Sequence, residues 1–305
     1  MNRRQFLKWQ ARGAVIWAAS AAGVLAPTKL LAAEPEIGVA KGKPGPATRA
    51  AVELLGGMKR FVKPGQRVAV KPNISFAQGP EAATNTHPDV VREIVAMCLD
   101  AGASEVFVLD HPFRMVDLCL DQSGIRPACK EFSKVSVQGL LDPAFYADAD
   151  IPKAMSMRKT QIMRDVLQAD VLIAAPVAKS HADTGVSLSM KGMMGLIWDR
   201  KTMHADHNLD QAIVDLNRAL KANLAIVDAT RVLADNGPAG PGKVLTPNTV
   251  IASADVVAAD AFAVSSFEWW GQRLNPNQVG HLRLAHEQGL GRMDVNAMRV
   301  VTIEV

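Results

Sequence analysis

Val171-Leu172-Ile173-Ala174-Ala175 is an unbroken apolar run between Asp170 and Pro176. Its length suits a strand covered on both faces better than a helix. The pattern recurs outward from it. Arg67 to Lys71, with Val68-Ala69-Val70 inside, reads as a short buried strand closed by Pro72-Asn73. Pro88 suits the first turn of a helix. Val90, Val91, Ile94, Val95, Cys98 and Leu99 give that helix one apolar face, and Asp100-Ala101-Gly102-Ala103 closes it. Glu105 to Asp110 is the next strand, so a right-handed parallel crossover is expected. Further along, Ile162 to Ala169 reads as helix and Leu209 to Leu220 as an amphipathic helix. Leu224 to Val227 is a strand ending at Asp228, Val256 to Trp270 a long helix, and Val300 to Ile303 a last strand. Ala50 to Phe61 is helix-like, and the Pro/Gly/Lys-rich residues 34–48 read as an exposed lead-in. The predicted fold class is α/β, with a mainly parallel sheet and helices on both faces, in a single domain over residues 34–305.

The 305 residues are 49% hydrophobic and 21% charged, proportions that exclude a disordered or collagen-like chain. Aromatics make up 5%, with a single Tyr, which argues against an aromatic sugar or single-strand nucleic-acid platform. The net charge is +4, but Arg3, Arg4, Lys8, Arg12 and Lys29 lie in residues 1–33 with no acid. Subtracting that +5 leader from +4 leaves the rest at −1, so nucleic acid is not an expected partner. Asn2-Arg3-Arg4-Gln5-Phe6-Leu7-Lys8, a short apolar run from Gly13 to Ala26, and Leu31-Ala32-Ala33 read as a twin-arginine signal peptide over 1–33. The expectation is a periplasmic protein with the twin-arginine translocase as its partner in export. Leu31 is large for the position before a cut at Ala33, so cleavage is left open. Cys98 reads as a packed core thiol, and pairing of Cys119 with Cys129 is left open. With no C-x-x-C, an iron–sulfur or structural zinc site has no support.

In sheets of this kind, ligand sites gather beyond the carboxyl ends of the strands. Four such ends are polar: Lys71-Pro72-Asn73, Asp110-His111-Pro112, Ala178-Lys179-Ser180-His181 and Asp228-Ala229-Thr230-Arg231. Each alone could be a solvated loop; together they predict one pocket. Lys191 stands in a small and apolar stretch with Gly192, Met193, Met194 and Gly195. It is either a pocket lysine facing an anion or a lysine snorkelling from a core helix. His204 and His207, three apart, make a weak metal pair. Asp255 reads as the cap of the helix beginning at Val256, while Asp228, Asp235 and Asp260 are candidates for hard-metal oxygen ligands or for helix capping. There is no G-x-G-x-x-G, P-loop or G-x-S-x-G, and Gly237 to Gly242 is a rigid loop without the phosphate-loop pattern.

These residues resemble the family called domain of unknown function 362. The resemblance rests on Val70-Lys71-Pro72-Asn73, His87-Pro88, Ala169-Asp170-Val171, Lys179-Ser180-His181, the segment Val186 to Gly195, and Val227-Asp228-Ala229-Thr230 with Asn236-Gly237-Pro238. Many members carry a ferredoxin-like cysteine module; this chain has none. A weaker resemblance is to the nickel-pincer lactate racemase group. In that group a His after a strand is followed ten residues on by a Lys tethered to a pyridinium-type cofactor, and sixteen further by a nickel-ligating His. His181, Lys191 and His207 share that spacing, and His111 stands where the group has another His. The group's first strand-end motif is replaced by Lys71-Pro72-Asn73, and its second catalytic half is not evident.

The expected function is an exported enzyme with Lys191 and His181 as catalytic groups. Lys71, Asn73, Lys179 and Asp228 would bind a cofactor or substrate, and His111, His181 and His207 a metal. The ligand would be a small anion or a metal-bearing or phosphate-containing cofactor. The alternative is a non-catalytic carrier of the cell envelope that holds an anion or metal in the same pocket.

Overall fold

The structure is a computed structural model that describes residues 36–305; the expected leader at 1–33 lies outside the described residues. The strands are β1 (Ile37–Lys41), β2 (Arg67–Pro72), β3 (Glu105–Asp110), β4 (Val135–Gly139), β5 (Tyr146–Asp150), β6 (Lys159–Met163), β7 (Val171–Ala175), β8 (Val177–His181), β9 (Gly185–Ser187), β10 (Leu224–Leu233), β11 (Val244–Leu245), β12 (Thr249–Ser253), β13 (Glu268–Trp269), β14 (Gln272–Arg273) and β15 (Val300–Glu304). The main sheet runs β15-β1-β12-β10-β7-β2-β3-β4. β10, β7, β2, β3 and β4 pair in parallel, as do β15 and β1, while β12 is antiparallel to both its neighbours. The fold is therefore α/β with a mainly parallel sheet.

The strand period of two divides the core between the faces. Val68, Val70, Val106, Val108 and Ile173 pack with the helices Pro44–Glu53 and Pro88–Asp100. Ala69, Phe107, Leu109, Leu172 and Ala174 pack with the helices Leu209–Ala219, Val256–Ser266 and Gly280–Glu287. All the described residues fall in one compact unit.

Five expectations need correction. Asp228 to Arg231 do not end a strand but lie inside β10, which runs on to Leu233. Ala50 to Phe61 is not one helix: the helix from Pro44 ends at Glu53, and only the short turn Met58–Arg60 follows. Residues 36–48 are not an exposed lead-in: β1 is an interior strand between β12 and β15, and a helix begins at Pro44. Gly38, which reads as loop composition, is there because a Cβ would fall on the Ala51 carbonyl oxygen of the helix packed above it. Ile162 and Met163 belong to β6, which pairs antiparallel with β5, and only Arg164–Leu167 is helical. The helix from Val256 stops at Ser266, where Phe267 turns extended (φ −124°, ψ 165°), and Trp270 (φ 56°) and Gly271 (φ 76°) then turn the chain back between β13 and β14. The turn buries Trp269, whose Nε1 donates to the Val264 carbonyl at 3.0 Å. Asp255 does cap this helix, accepting from Val257 N at 2.9 Å and Ala258 N at 3.1 Å. Cys98, Cys119 and Cys129 are free, buried thiols, and burial pushes Cys98 and Cys129 up to about 12.

Candidate functional site

A cleft of about 1150 Å³ opens at the carboxyl ends of β2, β3 and β8. Lys71, Asn73, Asp110, His111, Lys179, His181 and Lys191 all line it. The residue before each polar end is held in the sheet, so the chain must release its side chains at one rim.

Lys71 and Asp110 form a fully buried ion pair, with Nζ 3.1 Å from Oδ1. Lys71 Nζ also donates to the Pro72 carbonyl. Asp110 Oδ2 accepts from Ile74 N at 2.7 Å and Ser75 Oγ at 3.1 Å, and Oδ1 from His111 N at 2.8 Å. Burial works against the Asp110 charge, but the Lys71 ammonium and these donors outweigh it and hold the carboxyl below its ordinary value. Gly195 lets the turn Met193–Leu196 close over this pair, since a Cβ there would fall on Asp110 Oδ1 and Lys71 Cε.

The remaining cations have no such acid. Lys179 Nζ donates to the Thr84 carbonyl at 2.7 Å and lies 5.2 Å from the Phe76 ring centroid. Burial lowers it to about 7, and Lys191 and Lys71 push the same way. Lys191 is 8% exposed, and no hydrogen bond or salt bridge reaches its Nζ from the described residues. Burial lowers it to about 8, with Asp183 acting against the shift from a distance. Arg200 donates to the His111 carbonyl at 3.0 Å and also faces the cleft. The lining acids are Asp110, held by Lys71, and Asp199, which caps a helix by accepting from Thr202 N at 3.0 Å. The cleft is thus cationic.

Three histidines line the cleft, and two of them, His111 and His181, are held in opposite tautomers. His111 Nδ1 is 3.2 Å from the Ile197 carbonyl, which can only accept, so Nδ1 carries the proton. Tyr146 Oη sits 3.1 Å from the same nitrogen while its own proton goes to the Leu140 carbonyl at 2.8 Å. Nε2 of His111 is left with a lone pair. His181 Nδ1 instead accepts from Asp183 N at 3.2 Å. Burial, with Lys191 beside it, pushes His181 down to about 3, so the ring is neutral and its proton is on Nε2. His111 and His181 therefore offer one base and one neutral N–H donor. The His204 ring lies 6.3 Å from that of His181, at 21°.

Asp228 and His207 are elsewhere. Asp228 is buried and committed to the chain: it accepts from His87 N at 2.7 Å, Thr230 N at 3.0 Å, Thr230 Oγ1 at 2.6 Å and Arg231 at 2.8 Å. His207 lines a separate depression with Asp148 and Met157, 3.1 Å from Ser156 Oγ. Among the described residues, no three His, Cys, Asp or Glu side chains converge as metal ligands. His111, His181 and His207 do not assemble a common site, so the residues present do not fit the nickel arrangement. Arg200, Phe76, Phe113 and Trp198 enter the cleft without a sequence signal beyond an ordinary charged or apolar residue.

With the geometry in place, the class is an α/β protein with a cationic cleft at its strand ends. The chain belongs to the family described as domain of unknown function (DUF362), whose model matches residues 68–265. It is 27% identical over 220 residues to the thylakoid-associated protein sll1697 of Synechocystis, covering 70% of this chain. The chain spans 66% of that relative's length. A lactate racemase apoprotein from Thermoanaerobacterium thermosaccharolyticum superposes with a TM-score of 0.45 and 13% identity, covering 72% of this chain and 54% of that one.

Proposed function

We propose that the protein is an enzyme that holds a small anionic ligand on Lys191 and Arg200 and performs acid–base chemistry on it with His111 and His181. One observation carries the reading: Lys191 is buried at the cleft wall with no hydrogen-bonded or ion-paired partner among the described residues. A buried ammonium without a counterion is costly, so an anion from outside is its natural complement. His111 Nε2 would take a proton and His181 Nε2–H would steady or protonate the oxygen that becomes charged.

Lys191→Met keeps the stem volume and removes the charge. Titrated with acetate and inorganic phosphate, it should bind at least about tenfold more weakly than the parent, with an unchanged melting temperature. Equal binding would remove Lys191 from the site. To separate enzyme from carrier, the protein and its His111→Gln variant would be incubated with a small-molecule extract of cells. Consumption of a metabolite by the parent alone supports catalysis; binding without consumption supports the carrier.

We further propose export through the twin-arginine route to the periplasm, on the strength of Arg3-Arg4-Gln5-Phe6-Leu7-Lys8. Arg3→Lys with Arg4→Lys should leave folded protein in the cytoplasm; unaltered fractionation of that variant counts against it.

A further inference from the structure

We infer that the anion taken by this cleft is carried on a flat aromatic ring, an inference that rests on the anion-binding reading above. The acid group sits at Lys191 and Arg200, and the ring lies on the wall made by Phe76 and Phe113.

The chain is poor in aromatics, with nine Phe, five Trp and one Tyr, yet Phe76, Phe113 and Trp198 all line this one cleft. Phe113 is 66% exposed, so its ring is not there to fill the core. The Phe76 and Phe113 rings stack, 6.5 Å apart and within 26° of parallel, and the Arg114 guanidinium lies 5.9 Å from the Phe113 centroid. That wall is held in place by polar bonds. Phe113 N donates to the Ser75 carbonyl at 3.0 Å. The Asn85 side chain grips Phe76 from both sides, accepting from its N–H at 3.2 Å and donating to its carbonyl at 2.8 Å. Lys179, 5.2 Å from the Phe76 centroid, joins the wall to the cations, since its charge and that of Lys191 act on each other.

Size points the same way. A cleft of about 1150 Å³ lies above the usual range for small-molecule sites, roughly 300–1,000 Å³, so phosphate or acetate alone would leave most of it filled with water. A planar ring gains from stacking on an aromatic wall and from the cations beside it in a way a puckered ring of equal apolar area does not.

The test compares flat and puckered rings on the same acid. Benzoate, cyclohexanecarboxylate and acetate would be titrated by ligand-observed NMR. Phenyl phosphate, cyclohexyl phosphate and inorganic phosphate would be titrated in parallel, to tell a carboxylate ligand from a phosphate one. The aromatic member of at least one series should bind about threefold or more tightly than its saturated partner. Phe113→Leu should erase that preference and leave acetate and inorganic phosphate unaffected. Equal binding of flat and puckered rings overturns the inference while the anion reading stands. So does a preference that survives both Phe76→Leu and Phe113→Leu. If none of the six anions binds, the anion reading fails and takes this inference with it.

Discussion

Single residues set the electrostatics of the cleft. Lys71 and Asp110 neutralise each other out of water, so Asp110→Asn would strand a buried ammonium and leave the Gly195 turn packed on an unpaired charge. The expected cost is about 3–5 kcal/mol in denaturant unfolding, far more than an exposed pair such as Arg126–Asp117 would show. Lys191 behaves differently, since under the proposed function its partner comes from outside. Burial holds it at about 8, below the ordinary lysine value, and a bound anion must raise it again. Anion binding at pH 8 should therefore take up a proton, and affinity should fall as pH rises through about 8. Calorimetry in two buffers of different ionisation enthalpy reads the proton directly; identical heats in both would contradict a charged Lys191 at the ligand.

At the scale of elements, the short helix Ser189–Gly192 carries Lys191 to the cleft. It is too short to hold itself and depends on tertiary contacts. Asp260, from the helix Val256–Ser266, supplies them: Oδ1 accepts from Ser189 N at 2.9 Å and Oδ2 from Met190 N at 2.8 Å. Asn217 Nδ2 holds the Met190 carbonyl at 2.9 Å. Asp260→Ala would leave two N–H groups without a partner in the interior. It should lower stability by about 2 kcal/mol or more and weaken acetate or phosphate binding, although Asp260 does not line the cleft. Loss of stability with full anion affinity would show that Asp260 does not position Lys191. Asp255, capping the start of the same helix, was legible in the sequence because a cap is a local device of adjacent residues. Asp260 was not, since its partners lie some seventy residues away.

For the whole molecule, β1 matters more than its composition suggests. It pairs along its length with β12 on one side and β15 on the other. Deleting residues 36–41 would remove an interior strand, detach β15 and expose one edge of the sheet. The expected outcome is insoluble protein or loss of cooperative unfolding; a soluble variant with a sharp transition would show that the β1 pairing is dispensable. The alternation of β2, β3 and β7 with helices was readable because apolar periodicity is set over a few adjacent residues. β1, β6 and the stop at Ser266 were not, because each is decided by a distant partner: the helix over Gly38, the hairpin with β5, and the chain reversal that buries Trp269.

The sequence by itself determined the α/β class and the parallel order of strand ends, and with them the meeting of Lys71, Asn73, Asp110, His111, Lys179 and His181 at one rim. A strand's carboxyl end releases its side chains at a predictable edge, so local pattern is enough to gather them. The tertiary structure alone decided that Asp228 is spent on four protein donors and that His207, at a tempting spacing from Lys191, faces another depression. It also decided that Arg200 and the Phe76–Phe113 wall complete the cleft. Spacing along a chain fixes direction only within one regular element, and these residues sit in loops and short helices oriented by contacts far away in sequence.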